Sequence, residues 1–257
     1  MTAIYLYCIV RSAKKPSLAR VPAGLPDASA PELLRLAGSL WLVCAEVPLR
    51  TYGAQHLDEH LADFEWVGRV ALAHEQVVEH FSRRPSTTVV PMKLFSMFST
   101  RERALEDVAA RRSTILGLMR RIAGAQEWGI RVTGQPVASR DRRSADPGGS
   151  GAAFLAGKKE ARDSAKYARA AATDSAMQAF QRLSKLARES RLRQDAPPSA
   201  ATPPLLDAAF LVATTKRAGF TQAARREAAA CAKAGARMTL TGPWPAYNFV
   251  HEGGTRR

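Results

Sequence analysis

Cysteine is scarce in this 257-residue chain, with only Cys8, Cys44 and Cys231. An odd count without paired spacing gives neither a disulfide framework nor a zinc finger, and a reducing cytoplasm is the expected compartment. No apolar run approaches the roughly 20 residues that a membrane-spanning helix needs. The opening MTAIYLYCIVRSAKK has no charged residue ahead of its apolar stretch, so it does not read as a secretory signal. Acidic residues are few, 23 against 38 Lys and Arg, which leaves a net charge of +15. That excess is spread along the chain: +4 over residues 1–136, +6 over 137–196 and +5 over 197–257. Aromatics are only 7%, and no interleaving of aromatic and basic residues marks an RNA-binding surface. A solvated basic surface is the reading, with a basic nucleic-acid-binding α+β protein as the alternative.

Catalytic patterns are missing as well. Gly148-Gly149-Ser150-Gly151 lacks the Lys-Ser/Thr pair of a phosphate loop and reads as a linker. No Gly-X-Ser-X-Gly elbow occurs. His56 and His60 share a helix face only if a helix starts early. His74-Glu75 resembles the start of a zinc-protease helix, but Val78 stands where the second His is needed, and His80 is off that face. His74 therefore reads as a hydrogen-bonded packing residue. Cys8 and Cys44 fall in apolar strands and Cys231 among alanines, where a small buried side chain is the common use. Asp58-Glu59 and Glu106-Asp107 are explained as solvated helix charges. No catalytic residue, metal site or cofactor site is expected.

What is present is a core-forming pattern, with 46% apolar residues against 24% charged. Ala3–Val10 is almost continuously apolar and predicts a strand buried on both faces. A loop with Pro16, Pro22, Gly24, Pro26 and Pro31 follows, then a strand at Leu40–Leu49. One helix is expected from Asp58 to about Arg83. Its stripe is Leu61, Phe64, Val67, Ala71, His74, Val78 and Phe81, and Pro85 stops it. Thr87–Phe98 predicts a strand, and Pro91 inside it needs an edge or a bulge because it has no ladder donor. Ser99 or Thr100 caps a helix with the stripe Leu105, Val108, Arg112, Ile115, Met119 and Ile122. Glu127–Gly134 predicts a fourth strand. Residues 1–137 thus read as an α+β domain.

Residues 138–152 read as a charged, Gly-rich linker, and 153–257 as a second α+β domain. It opens on an Ala-rich helix from about Ala153 to Arg191, about 57 Å if unbroken. Its stripe is Ala161, Ala165, Ala168, Ala172, Ala176, Phe180, Leu183 and Ala187, narrow enough to serve partner binding or self-association. The Pro-rich stretch QDAPPSAATPP follows. A strand is then expected at Leu205–Thr215, a helix at Phe220–Gly235 capped by Thr221, and a strand at Ala236–Val250 broken by Gly242-Pro243-Trp244-Pro245. Trp128-Gly129 and the GPWPAYNFV segment are the two aromatic clusters. The second reads either as an aromatic anchor for the chain end or as a rigid aromatic binding surface.

Five segments, taken in order, resemble the gas vesicle accessory proteins of the F and L type (GvpF/GvpL). IYLYCIV is similar to the family's first strand, with Cys8 where a Gly is common. FEWVGRVALAHEQVVEHF carries its Ala-His-Glu triplet as Ala73-His74-Glu75. TTVVPMKLFSMF is similar to its Val-Pro-Leu-Arg-Phe-Gly segment, with Met92 and Lys93 for Leu-Arg and Phe95 at the Gly position. EWGIRV and TGPWPAYNFV are close to two further family segments. The resemblance implies a two-domain α+β protein whose C-terminal domain is a modified ferredoxin-like fold. It also implies a non-enzymatic role in gas vesicle assembly, in the cytoplasm and on the vesicle. The implied partners are the major shell protein and other accessory proteins, with no cofactor and neither membrane nor nucleic acid as a partner. Candidate partner-binding residues are Pro91, Lys93, Trp128, Pro243, Trp244, Pro245 and Tyr247.

Overall fold

The computed structural model describes residues 1–135, 151–193 and 203–250, with side chains from 156 onward in the second stretch. Most of the expected linker (138–152) and of the Pro-rich stretch (194–204) lies outside the described residues. The contacts gather into two compact units. One comprises Met1–Gln126 and the segment beginning at Trp244, and the other is Glu127–Pro243.

The first unit is built on β1 (Thr2–Arg11), buried from Ala3 to Val10. It pairs antiparallel with β3 (Leu40–Pro48), which in turn pairs with β2 (Glu32–Arg35). On its other side lie β4 (Thr88–Pro91) and the two-residue β5 (Met97–Phe98). The order is β2-β3-β1-β4, so β4 is an edge strand and Pro91 faces no ladder requirement on its outer side. Register shifts between Leu6 and Cys8, with Tyr7 as the extra residue. This bulge resets the alternation, so Tyr5 and Tyr7 share a core with Cys8 and Val10. The expected strand over Thr87–Phe98 is thus two short strands around a loop, Met92–Ser96.

Helices α1 (Leu49–Tyr52), α2 (Ala54–Ala62) and α3 (Phe64–Ser82) follow β3. The helix expected from Asp58 is interrupted at Asp63, whose carboxylate accepts hydrogen bonds from the Glu65 and Trp66 N–H groups and caps α3. The interruption rotates the buried face. Trp66, Val70, His74, Val77, Val78 and Phe81 are buried, whereas Leu61 and Phe64 of the expected stripe are exposed. Thr100 caps α4 (Arg101–Ala110), and α5 (Arg112–Ile122) buries Ile115, Met119 and Ile122. Arg112, expected on that stripe, is exposed.

The second unit starts with β6 (Ala125–Gly134), the strand expected to complete the N-terminal part. Its hydrogen bonds go elsewhere: the Val132 carbonyl accepts from Leu205 N–H, and Gln135 N–H donates to Gly235. Then come α6 (Gly151–Ser184), β7 (Glu189–Leu192), β8 (Leu206–Ala213), α7 (Arg217–Lys233) and β9 (Ala236–Trp244). The sheet order β7-β8-β6-β9 with β-α-β-β-α-β connectivity is the ferredoxin-like arrangement. Its core joins Ile130, Val132, Phe210, Phe220 and the alanines 172, 176 and 179 of α6. The long helix stops at Ser184, before Arg191, because β7 takes residues 189–192 into the sheet. Helix α7 begins at Arg217, so Thr221 does not cap it; its hydroxyl donates to the Ala218 carbonyl instead. The strand expected through Val250 ends at Trp244, and α8 (Tyr247–Val250) follows in the first unit.

Candidate functional site

The Met92–Ser96 loop is held by β1. Met92 N–H donates to the carbonyl of the bulged Tyr7, and Leu6 N–H donates to the Ser96 carbonyl. Beneath the loop, Tyr5 Oη accepts from Phe95 N–H at 3.4 Å and sits 2.8 Å from His74 Nδ1. Burial lowers the His74 pKa to about 4, with partial compensation from the Met92 backbone. The imidazole is therefore neutral at neutral pH, and the tautomer it adopts sets which partner donates in the Tyr5–Nδ1 hydrogen bond. Among the described residues, Nε2 has no hydrogen-bond partner. Burial raises the Tyr5 phenol far above its usual range and pushes Tyr7 up to about 12. Tyr7 Oη accepts from Leu25 N–H. These hydroxyls are fixed as neutral hydrogen-bonding groups, that of Tyr5 bracing the Met92–Ser96 loop and that of Tyr7 holding Leu25.

Phe95 occupies the left-handed region, with φ of 63°. A non-glycine residue there costs roughly 1–2 kcal/mol. Its ring lies parallel to Trp66, with centroids 5.9 Å apart, and His60 stacks near Trp66 at 4.7 Å. The stack offsets the strained backbone and covers one side of the loop. Lys93, at the loop's turn, is exposed.

The C-terminal segment reaches the same cluster. The Tyr247 ring lies 6.3 Å from that of His74. Burial, followed by the Glu75 carboxylate, drives the Tyr247 phenol far above its ordinary range. Phe249 is fully buried, and its carbonyl accepts from the Arg121 guanidinium. Pro245 is buried, Pro243 is half-buried behind a cis Gly242-Pro243 bond, and Trp244 is 41% exposed.

Trp128 lies apart from these, in the second unit. It is 5% exposed, packs near Phe220 and has the Arg217 guanidinium over its ring. Its neighbour Gly129 is needed for close approach: a Cβ there would sit 2.7 Å from Thr241 Oγ1 and 3.1 Å from the Arg193 guanidinium. Of the seven sequence candidates, then, Pro91, Lys93, Trp244, Pro245 and Tyr247 belong to the first unit. Pro243 and Trp128 belong to the second. Sequence reading missed Tyr5, Trp66 and His60. The aromatic content of the first strand and the Trp in the His74 helix were the available signals.

The cluster has no nucleophile. Cys8 is buried with its thiol held protonated, and burial pushes Cys44 up to about 12. Among the described residues, no three His, Cys, Asp or Glu side chains gather where a metal could bind, and no helix is long and apolar enough to cross a membrane.

The family model described as gas vesicle synthesis protein GvpL/GvpF matches residues 3–251. Gas vesicle protein L of Streptomyces sp. (strain CB03234) is 27% identical over 231 residues, spanning 86% of this chain and 83% of that protein. The crystal structure of GvpF from Anabaena sp. PCC7120 superposes with a TM-score of 0.68 at 15% identity, covering 98% of this chain and 97% of that one. GvpF from Microcystis aeruginosa gives 0.62 at 15%, covering 97% and 99%. At that identity the two structures speak for the fold, and the match over nearly the whole chain speaks for kinship. The chain belongs to the gas vesicle synthesis protein GvpL/GvpF family.

Proposed function

We propose that this gas vesicle protein is a non-enzymatic accessory component that binds the major shell protein during nucleation or wall formation, in the cytoplasm and at the growing vesicle. The observation that carries this reading is the braced edge loop. Residues 92–96 sit at edge strand β4, pinned by backbone hydrogen bonds and stacked on Trp66, with Lys93 projecting from the turn. A pre-ordered edge loses little entropy on capturing an extended or helical apolar segment. The exposed Trp244, held between two prolines, offers a second rigid contact. Buried His74 and Tyr5, with half-buried Tyr247, act as supports for that surface.

The test is co-purification of the tagged protein with the shell protein after nuclease treatment. Lys93→Glu and Trp244→Ala should each lower the retained shell protein several-fold, with circular dichroism unchanged. Full retention by both variants would remove these residues from the binding surface. A companion that disappears with nuclease would favour the nucleic-acid alternative. Among the described residues, the exposed large aromatics are Phe64, Tyr167 and Trp244, and of these Trp244 lies on a strand, at its final residue, rather than on a sheet face that could stack bases.

A further inference from the structure

We propose that this chain self-associates head to tail, the exposed Phe64-Gly68-Leu72 face of α3 in one molecule seating on the exposed 156–171 stretch of α6 in another. The inference does not depend on shell-protein binding.

On α3, Phe64 is 88% exposed and Leu72 61%. They stand eight residues apart on one row, and Gly68 between them has open space where a side chain would be. The face is therefore two apolar knobs separated by a notch. Leu61, on the adjoining α2, extends it. Its N-terminal flank is acidic: Asp58, Glu59 and Glu65 are exposed, and no Lys or Arg occurs from Thr51 to Gly68 in a chain of net charge +15, while exposed Arg69 beside Leu72 is the first basic residue at the other end of the face.

The complementary surface lies on α6. Its alanines 172, 176 and 179 are buried in the second unit. The same small-residue row runs back through Ala168, Ala165 and Ala161, where residues 156–171 are exposed throughout. That half-helix is about 24 Å long. Beside the row, Lys158, Arg162, Lys166 and Arg169 recur at steps of four, four and three and form one basic stripe. An alanine row admits the close approach of bulky knobs from a facing helix. The basic stripe then meets the acidic flank of α2 and α3. A partner with a basic stripe along a small-residue helix is what the apolar, acid-rimmed face fits, and a second copy carries one.

The two surfaces differ, so the contact is heterologous. A molecule bound through one still presents the other, and association propagates until a ring closes or the ends are capped. A single helix face is small by the standard of stable interfaces, so the association is weak and falls with salt.

Sedimentation velocity of the full chain over a wide concentration range tests this. The expected result at low salt is a mean mass that climbs with concentration, returning toward monomer at high salt. The double variants Phe64→Ser/Leu72→Ser and Arg162→Glu/Lys166→Glu change only exposed positions, and each should weaken association at least ten-fold. Mixed together, they should form a one-to-one pair and stop, because each retains one competent surface. The proposal is overturned if the wild-type chain stays monomeric throughout, if either variant associates like wild type, or if the mixture stays monomeric. A monomeric wild type whose α3 variant alone loses shell protein would assign that face to the shell protein instead.

Discussion

At the scale of single residues, the His74 environment gives a pH dependence of known sign. The imidazole titrates near 6.5 when unfolded and near 4 when folded, chiefly because of burial. Between those values the unfolded chain binds more protons. Stability is therefore complete above about pH 6.5 and drops as the pH falls through that window, by on the order of 3 kcal/mol. Urea midpoints measured across the window should show this slope, and His74→Gln should flatten it while keeping a side chain that can hydrogen-bond the Tyr5 hydroxyl. The same slope in the variant would place its origin in other groups. Phe95 shows how a sequence departure can be read physically. The resemblance puts Gly at this position, and the φ of 63° is the reason a Gly suits it. The phenylalanine is kept in place by its stack on Trp66.

At the scale of elements, the cap at Asp63 decides where α2 ends and α3 begins. Asp63→Ala removes the acceptor for two N–H groups and should cost about 1 kcal/mol, read as a shift in denaturant midpoint with an unchanged slope. A loss below a few tenths of a kcal/mol would show that α2 and α3 are separated by packing alone. This element also marks the limit of sequence reading. The expected stripe runs through Leu61 and Phe64 because the apolar steps of three and four continue in the sequence across the join, and sequence periodicity does not register a backbone break that rotates the buried face. The buried strands β1 and β3 were legible from continuous apolar runs. The short edges β2 and β7 were not, since ELLR and ESRL lack alternation and owe their pairing to the neighbouring strand. Of the candidate site, Pro91 at an edge was legible from its missing donor. The Tyr5–His74 contact, 69 residues apart in sequence, was not, because no local pattern encodes it.

At the scale of the whole molecule, the first unit is assembled from both ends of the described chain, and the second is inserted between them. Phe249 is fully buried and Val250 nearly so, while β1 is the strand on which both β3 and β4 pair. Phe249→Ala should destabilise the first unit by about 3 kcal/mol or more. Hydrogen exchange should then show lost protection in β1 and α5 and little change in β8 and α7. Equal loss in both would mean that the two units unfold as one.

That division bears on synthesis. A ribosome delivers β1 first, but the residues that seal its core arrive last, after the entire ferredoxin-like unit has emerged. The second unit can fold while translation continues, whereas the first must wait half-built with its aromatic cluster open. An mRNA truncated before the codon for Trp244 would therefore yield a product with one finished unit and one exposed core, the kind of nascent chain that holdase chaperones bind.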